Sequence, residues 1–294
     1  MLEYHSMSLL AKTAEERNVK ISDIVLEDQA EVMNQPAGTL YEEMKHNFEV
    51  MRQAAEKGAS PSIHSASGLT GGDGARMTAY LDKAPLSESF CARAIARAIA
   101  VSECNAAMGK IVAAPTAGSC GILPAAALTM LEDRGVDERA VVMALFTAGA
   151  LGMVIANEAS IAGAEGGCQA ECGSAAAITA AALVEMAGGS PEEVVNAAAI
   201  ALKNQLGLVC DPVAGLVEVP CVKRNAGGIM IAIGAADMAL AGIKSVIPID
   251  EVISAMREIG EALPSSLRET GIGGLAGTPT GVALKQRIFG GDTE

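Results

Sequence analysis

The strongest constraint in this sequence is the small size of its apolar side chains. Half of the 294 residues are apolar, yet there is no Trp and there are only 3 Tyr and 4 Phe. About 55 Ala and the 32 Gly make up almost a third of the chain. A core of such residues has to draw its elements close together, and Ala favours helix while being poor in strands. No run of alternating Val, Ile or Thr lies between hairpin turns. The expectation is an all-α fold of closely packed Ala/Gly-rich helices joined by Gly-rich loops. It forms one domain over 1–294, with a soft boundary near 58–74.

Helix punctuation is frequent. Thr39 and Glu42 form a capping-box pattern ahead of Leu40, Met44, Phe48, Met51 and Ala55, and Gly58 closes that segment. Leu86–Ala107 repeats the helical period with Phe90, Ile95, Ile99 and Ser102 and stops at Gly109. Asp137 caps a helix running to about Ile155 that has no polar stripe and is therefore central. Ser190, Pro191 and Glu193 mark a helix start, with Gly207 past its end. Gly227–Lys244 and Asp250–Leu263 read as two more helices, the second stopped by Pro264.

Charge excludes several classes. Against 35 acidic residues stand 21 basic ones, a net charge of −14. Such a chain repels nucleic acid and anionic membrane surfaces, and it has no basic run and no aromatic stacking platform. Two uncharged stretches, Lys110 to Glu132 and Arg139 to Glu158, approach the length of a membrane span. Both lack flanking aromatic and basic anchors, and the first contains Pro115 and Pro124. A transporter, as the reading from another class, predicts membrane partitioning. The first thirty residues mix charges without the plan of a secretory signal, so a cytoplasmic location is expected, with seven reduced cysteines.

Four connections are rich in Gly and small polar residues: SASGLTGGDGARM (65–77), APTAGSCGILPA (114–125), EGGCQAECG (165–173) and CDPVAGLVEVPC (210–221). The first does not fit a phosphate-binding Walker pattern, since no Lys-Ser or Lys-Thr follows at the required place. Cys91 and Cys104 fall within a helix and read as packing residues, and Cys120 is ambiguous. Cys168, Cys172, Cys210 and Cys221 each lie in or beside a Gly or Pro turn, where backbone geometry can aim thiolates at one point, as an iron-sulfur cluster requires. Their spacings, C-x3-C and C-x10-C, match no zinc finger, ferredoxin or redox pair. Spacing alone does not decide whether Cys172 joins Cys168 or packs beside it.

Taken in order, SGLTGGDG, APTAGSCGILPA, GCQAECG and CDPVAGLVEVPCVKRN resemble the α chain of the bacterial iron-sulfur L-serine dehydratases over most of the chain. The resemblance implies a largely helical catalytic domain holding a [4Fe-4S] cluster through three cysteines, and conversion of L-serine to pyruvate and ammonia. Carried over, the ligands fall on Cys168, Cys210 and Cys221, with Cys172 outside the set. Three thiolates for four irons leave one iron open as a Lewis acid for the serine hydroxyl, so no pyridoxal phosphate is expected. L-cysteine desulfidase chemistry at the same iron is the neighbouring reading.

Ser67, Thr70, Thr116 and Ser119, with nearby turn amides, are suited to holding a small amino acid carboxylate, although ordinary turn bonding explains them equally. Glu165 and Glu171 flank Cys168 and are candidates for tuning the cluster or binding the ammonium group. The base that takes the Cα proton is left among His64, a carboxylate such as Glu165, and a residue of another chain. His5 and His46 read as surface residues. Single-chain relatives carry an additional amino-terminal domain, and some end in a cysteine tail, whereas this sequence ends GGDTE. The expectation is a separate β chain as partner.

Overall fold

A computed structural model describes residues 4–290; beyond Gly290, the GGDTE end lies outside the described residues. The α-helices are α1 Met7–Arg17, α2 Ile21–Met33, α3 Ala37–Gly58, α4 Asp73–Tyr80, α5 Glu88–Ala106, α6 Ile122–Arg134, α7 Glu138–Glu158 and the single turn α8 Gly163–Gly166. They continue with α9 Ser174–Met186, α10 Pro191–Lys203, α11 Cys221–Leu240, α12 Ile249–Ala262 and α13 Pro279–Phe289. Among the described residues there is no strand, only an isolated bridge between Cys210 and Arg268. The fold is all-α, as the composition requires.

At the centre runs α9, every residue of which is buried; its sequence SAAAITAAALVEM carries six alanines. Around it pack α6, α7, α10 and α11. The small residues set the spacing. A Cβ on Gly58 would lie 1.7 Å from the carbonyl oxygen of Ala100, and one on Gly121 would lie 2.3 Å from that of Ala98, so both helix contacts exclude any larger residue.

Asp137 caps α7 by accepting from the Arg139 N–H, and the Ser190–Glu193 box closes both ways at the start of α10. Of the described helices, α7 alone is long and apolar enough to cross a membrane, and 67% of that window is buried inside the fold. The other uncharged stretch, 111–131, divides into a loop, a 3-10 turn at Ala117–Ser119 and the first part of α6.

Helix boundaries differ most instructively from the sequence expectation in α3 and α11. Thr39 is the third residue of α3 and caps nothing, because Pro36 fixes an extended residue just before the helix and sets its start earlier. The start of α11 is Cys221 and not Gly227; of the Gly227–Gly228 pair that reads as an opening, Gly228 is a packing contact, since a Cβ there would lie 2.4 Å from Ile122 Cδ1. At its far end α11 stops at Leu240, short of Lys244. Gly207 lies beyond the end of α10 at φ 85°, in a turn whose N–H donates to Gln169 Oε1 at 2.9 Å.

Candidate functional site

Four thiols converge where the Gly-rich loops meet. Cys168 follows α8 and precedes a π-helical turn, Gln169–Gly173, that contains Cys172. Cys210 is held by the isolated bridge, its N–H donating to the Leu267 carbonyl at 2.9 Å and its carbonyl accepting from the Glu269 N–H at 2.7 Å. Cys221 opens α11. All four are buried, and all seven cysteines are thiols.

The sulfurs lie close enough to shift one another's ionisation. The Cys172 thiol donates to Cys168, which holds the Cys168 pKa below the ordinary thiol range and pushes that of Cys172 well above it. The Arg224 guanidinium adds to the effect on Cys168. Burial, followed by the charges of Cys168 and Glu171, pushes Cys221 up to about 12 and also raises Cys210. Arg224 is fixed by bonds to the Val209 carbonyl and Asp211 Oδ1, both 2.8 Å, and Asp211 Oδ2 accepts from the Leu275 N–H at 2.7 Å.

Between Cys168 and Cys172 lies Glu171. It accepts a 2.9 Å hydrogen bond from Thr116 Oγ1, and its Oε2 lies 3.8 Å from Cys210 Sγ. Two glycines make room for it: a Cβ on Gly118 would lie 3.2 Å from Oε1, and one on Gly163 would lie 2.8 Å from Oε2. Burial first, then the Glu269 carboxylate, raises its pKa above the ordinary carboxylate range. Thr116 Oγ1 also lies 3.1 Å from Ser119 Oγ. Asn225, fully buried one turn into α11, ties this loop down by accepting from the Gly121 N–H and donating to the Gly118 carbonyl.

The Ser65–Gly74 loop is fastened by two buried carboxylates. Glu218, three residues before Cys221, accepts from Ser65 Oγ at 2.5 Å and from Ser67 Oγ at 2.7 and 2.9 Å. Glu103 of α5 accepts from Thr70 Oγ1 and from the N–H groups of Asp73 and Gly74 at 3.0–3.1 Å. Lys223 of α11 closes the loop's far end through an ion pair with Asp73. The hydroxyls of Ser67 and Thr70 are thus engaged within the protein, joining this loop to the thiol-bearing loop on one side and to α5 on the other.

The structure brings Cys168, Cys172, Cys210, Cys221, Thr116 and Ser119 together, with Ser67 and Thr70 on the adjoining loop. His64 and Glu165 differ from the thiols in burial. His64 is exposed, with Nδ1 where a Cβ on Gly71 would fall, and Glu165 is exposed and accepts from Ser160 Oγ at 2.6 Å. His5 pairs with Glu158, and His46 is exposed. Cys91 and Cys104 sit in α5, and Cys120 is fully buried, its pKa pushed up to about 12 by burial. Sequence reasoning missed Glu103, Glu218, Arg224 and Asn225. Glu103 did carry a signal: it falls four residues after Ile99, on the core side of its helix, where an acid needs donors.

Comparison with known proteins identifies the family. Residues 16–276 match the family model of the serine dehydratase alpha chain. Over 289 residues the chain is 51% identical to the "Probable L-serine dehydratase, alpha chain" of Bacillus subtilis (strain 168), covering 98% of this chain and 96% of that protein. Over 272 residues it is 45% identical to the "L-serine dehydratase, alpha chain" of Peptoniphilus asaccharolyticus, covering 92% and 93%. A longer relative, the "L-serine dehydratase" of Streptomyces coelicolor, is 49% identical over 181 residues, 61% of this chain but 40% of that protein. The chain belongs to the serine dehydratase alpha chain family.

Proposed function

We propose that this chain is the catalytic α subunit of an L-serine dehydratase, releasing pyruvate and ammonia, and that it holds a [4Fe-4S] cluster through Cys168, Cys210 and Cys221. The observation that carries the reading is the meeting of buried thiols from two separate loops beside the family's Gly-rich connections. Their donor chemistry fits the group. Buried sulfurs that raise one another's pKa are unfavourable as bare thiolates, and bound iron offsets that repulsion. When bound, such a cluster supplies an iron without a protein thiolate, at which the serine hydroxyl becomes a better leaving group.

The remaining tasks fall to the chain itself. Turn amides of the loops at 65–74 and 114–121 that Glu103 and Asn225 leave free offer donors to the substrate carboxylate, with Thr116 beside them and Ser119 buried behind it. Glu218 and Glu103 hold the first loop at a fixed distance from the thiols. The group that removes the Cα proton comes from His64, from a carboxylate such as Glu165, or from a separate β chain, which also closes the pocket against water. The chemistry needs no pyridoxal phosphate, and it suits the cytoplasm, where thiols stay reduced.

The test is anaerobic purification and reconstitution with iron and sulfide, followed by assays with L-serine and L-cysteine. Broad iron-sulfur absorption and pyruvate formation from L-serine are expected. Sulfide release from L-cysteine far faster than ammonia release from L-serine would overturn the substrate, and a colourless chain after reconstitution would overturn the cofactor.

A further inference from the structure

One group of donors at the site is set for a single ion. The carboxylate of Glu171, the thiol of Cys210 and the carboxylate of Glu269 present ligand atoms that all lie within 4.8 Å of one another. Cys210 is 3% exposed, and its sulfur has no hydrogen-bond partner outside this group. No ion pair with Lys or Arg satisfies either carboxylate: Arg224 is paired with Asp211, and Arg268 donates to the carbonyls of Leu263 and Glu261. Two carboxylates and a buried thiol thus face one another with neither carboxylate paired to a Lys or Arg.

The space between the donors is kept open by the backbone. A Cβ on Gly163 would stand 2.8 Å from Glu171 Oε2 and 3.1 Å from Cys210 Sγ, beside both donors at once. Those two atoms are 3.8 Å apart. A tetrahedral ion with metal–sulfur and metal–oxygen bonds of about 2.3 and 2.1 Å holds its sulfur and oxygen about 3.6 Å apart. The pair therefore already stands near the separation that an ion imposes, and Glu269 has to close by a fraction of its side-chain length. One sulfur and two carboxylate oxygens suit a divalent transition ion such as ferrous iron or zinc, and suit magnesium or calcium poorly.

We propose that the cluster-free chain binds one divalent transition-metal ion through Glu171, Cys210 and Glu269, at a mixed sulfur–oxygen site distinct from the three-cysteine set. Cys210 belongs to both sets, so the site exists before a cluster forms or after one is lost, and it gives the chain a place to take up a first metal ion. The inference does not depend on the dehydratase reading, because it rests on the apo chain alone.

The experiment is an anaerobic titration of the cluster-free, full-length chain with Co²⁺ alone, followed by sulfur-to-cobalt charge-transfer absorption in the near ultraviolet. The expected result is one equivalent bound with a thiolate band. That band is lost in Cys210→Ser, affinity falls roughly tenfold or more in Glu171→Gln, Glu269→Gln and Gly163→Ala, and both band and affinity are retained in Cys168→Ser and Cys221→Ser. Far-UV circular dichroism on each variant separates misfolding from loss of the site; where Glu171→Gln unfolds, the exposed Glu269→Gln decides. Undiminished affinity in Glu269→Gln overturns the proposal, and so does loss of the band in Cys168→Ser, which would place the ion among the cysteines. Failure of the dehydratase reading shows instead as absent cluster absorption or absent pyruvate, neither of which moves the cobalt spectrum.

Discussion

Replacing Asn225 with Ala tests the claim that buried polar side chains hold the site loops in place. Asn225 is completely buried; its Oδ1 accepts from the Gly121 N–H at 2.9 Å, and its Nδ2 donates to the carbonyls of Gly118 at 2.8 Å and Cys221 at 2.9 Å. The Cys221 carbonyl lies at the start of α11 and keeps its place in the helix ladder. The other two groups, both on buried glycines, lose the partner that the loop provides. Each orphaned buried group costs about 1–3 kcal/mol, and the vacated volume adds to that, so the expected loss is about 3–5 kcal/mol. Urea unfolding of the cluster-free chain, followed by circular dichroism, should show a lower midpoint with an unchanged slope. Asn225→Asp keeps the acceptor for Gly121 but turns a second oxygen towards two carbonyls, so near neutral pH it should be no more stable than the Ala variant. A loss below about 1 kcal/mol in Asn225→Ala would show that water or a loop shift replaces these bonds, and the account of how the 114–121 loop is held would then be wrong.

Singly replacing Cys168, Cys210 or Cys221 with Ser should abolish iron-sulfur absorption and activity after reconstitution, while Cys172→Ser still forms a cluster; full absorption in any of the first three refutes the ligand set. Exposure to air should bleach the reconstituted protein, and ferrous iron with a thiol reductant should restore it; unchanged turnover after long aeration counts against an open iron. Glu185, buried in α9 and bonded by Thr147 Oγ1 at 2.5 Å, has its pKa raised above the ordinary range by burial, so the native state binds more protons than the unfolded one. Its contribution is present below the ordinary carboxylate value and lost as pH rises through the raised value. Urea midpoints measured across that window should therefore fall in the wild type relative to Glu185→Gln, and parallel curves would refute the assignment. Finally, the isolated chain should turn over far more slowly than the chain mixed with the proposed β chain at equal cluster content; equal rates would place the base within these 294 residues, His64 and Glu165 first among them.

How much of this was legible in the sequence follows from the range of the forces involved. Helix existence and class were readable because they depend on local periodicity and capping, as at Ser190–Glu193 and Asp137. Boundaries failed where a tertiary contact decided the residue: Gly228 is there for Ile122, and nothing within a few residues of it in sequence says so. Of the site, the turns that aim the thiols were visible as Gly and Pro clusters. The groups that fasten those turns were not, because Glu218 meets Ser65 across 153 residues and Asn225 meets Gly121 across 104. The Ser67 and Thr70 hydroxyls read equally well as substrate contacts or turn bonds from sequence, and their partners, Glu218 and Glu103, are supplied only by the fold.

The small-residue core and the site are one design, and α5 is where they join. Ala100 lies against both Gly58 at the end of α3 and Gly74 in α4, where added Cβ atoms would fall 1.7 Å from its carbonyl oxygen and 3.0 Å from its Cα. Two residues earlier, Ala98 meets Gly121 at the end of the 114–121 loop, and three residues later Glu103 accepts from Thr70, Asp73 and Gly74. Two faces of one helix, Ala98 on one and Ala100 with Glu103 on the other, therefore set the height of two of the four Gly-rich connections. A side chain at Gly121 or Gly74 would lift its loop, since the first atom that it meets belongs to the α5 backbone and cannot rotate away. The scarcity of aromatic residues thus follows from the same need as the glycines in the loops: backbone must lie directly on backbone for segments so far apart in sequence to meet at one group of thiols.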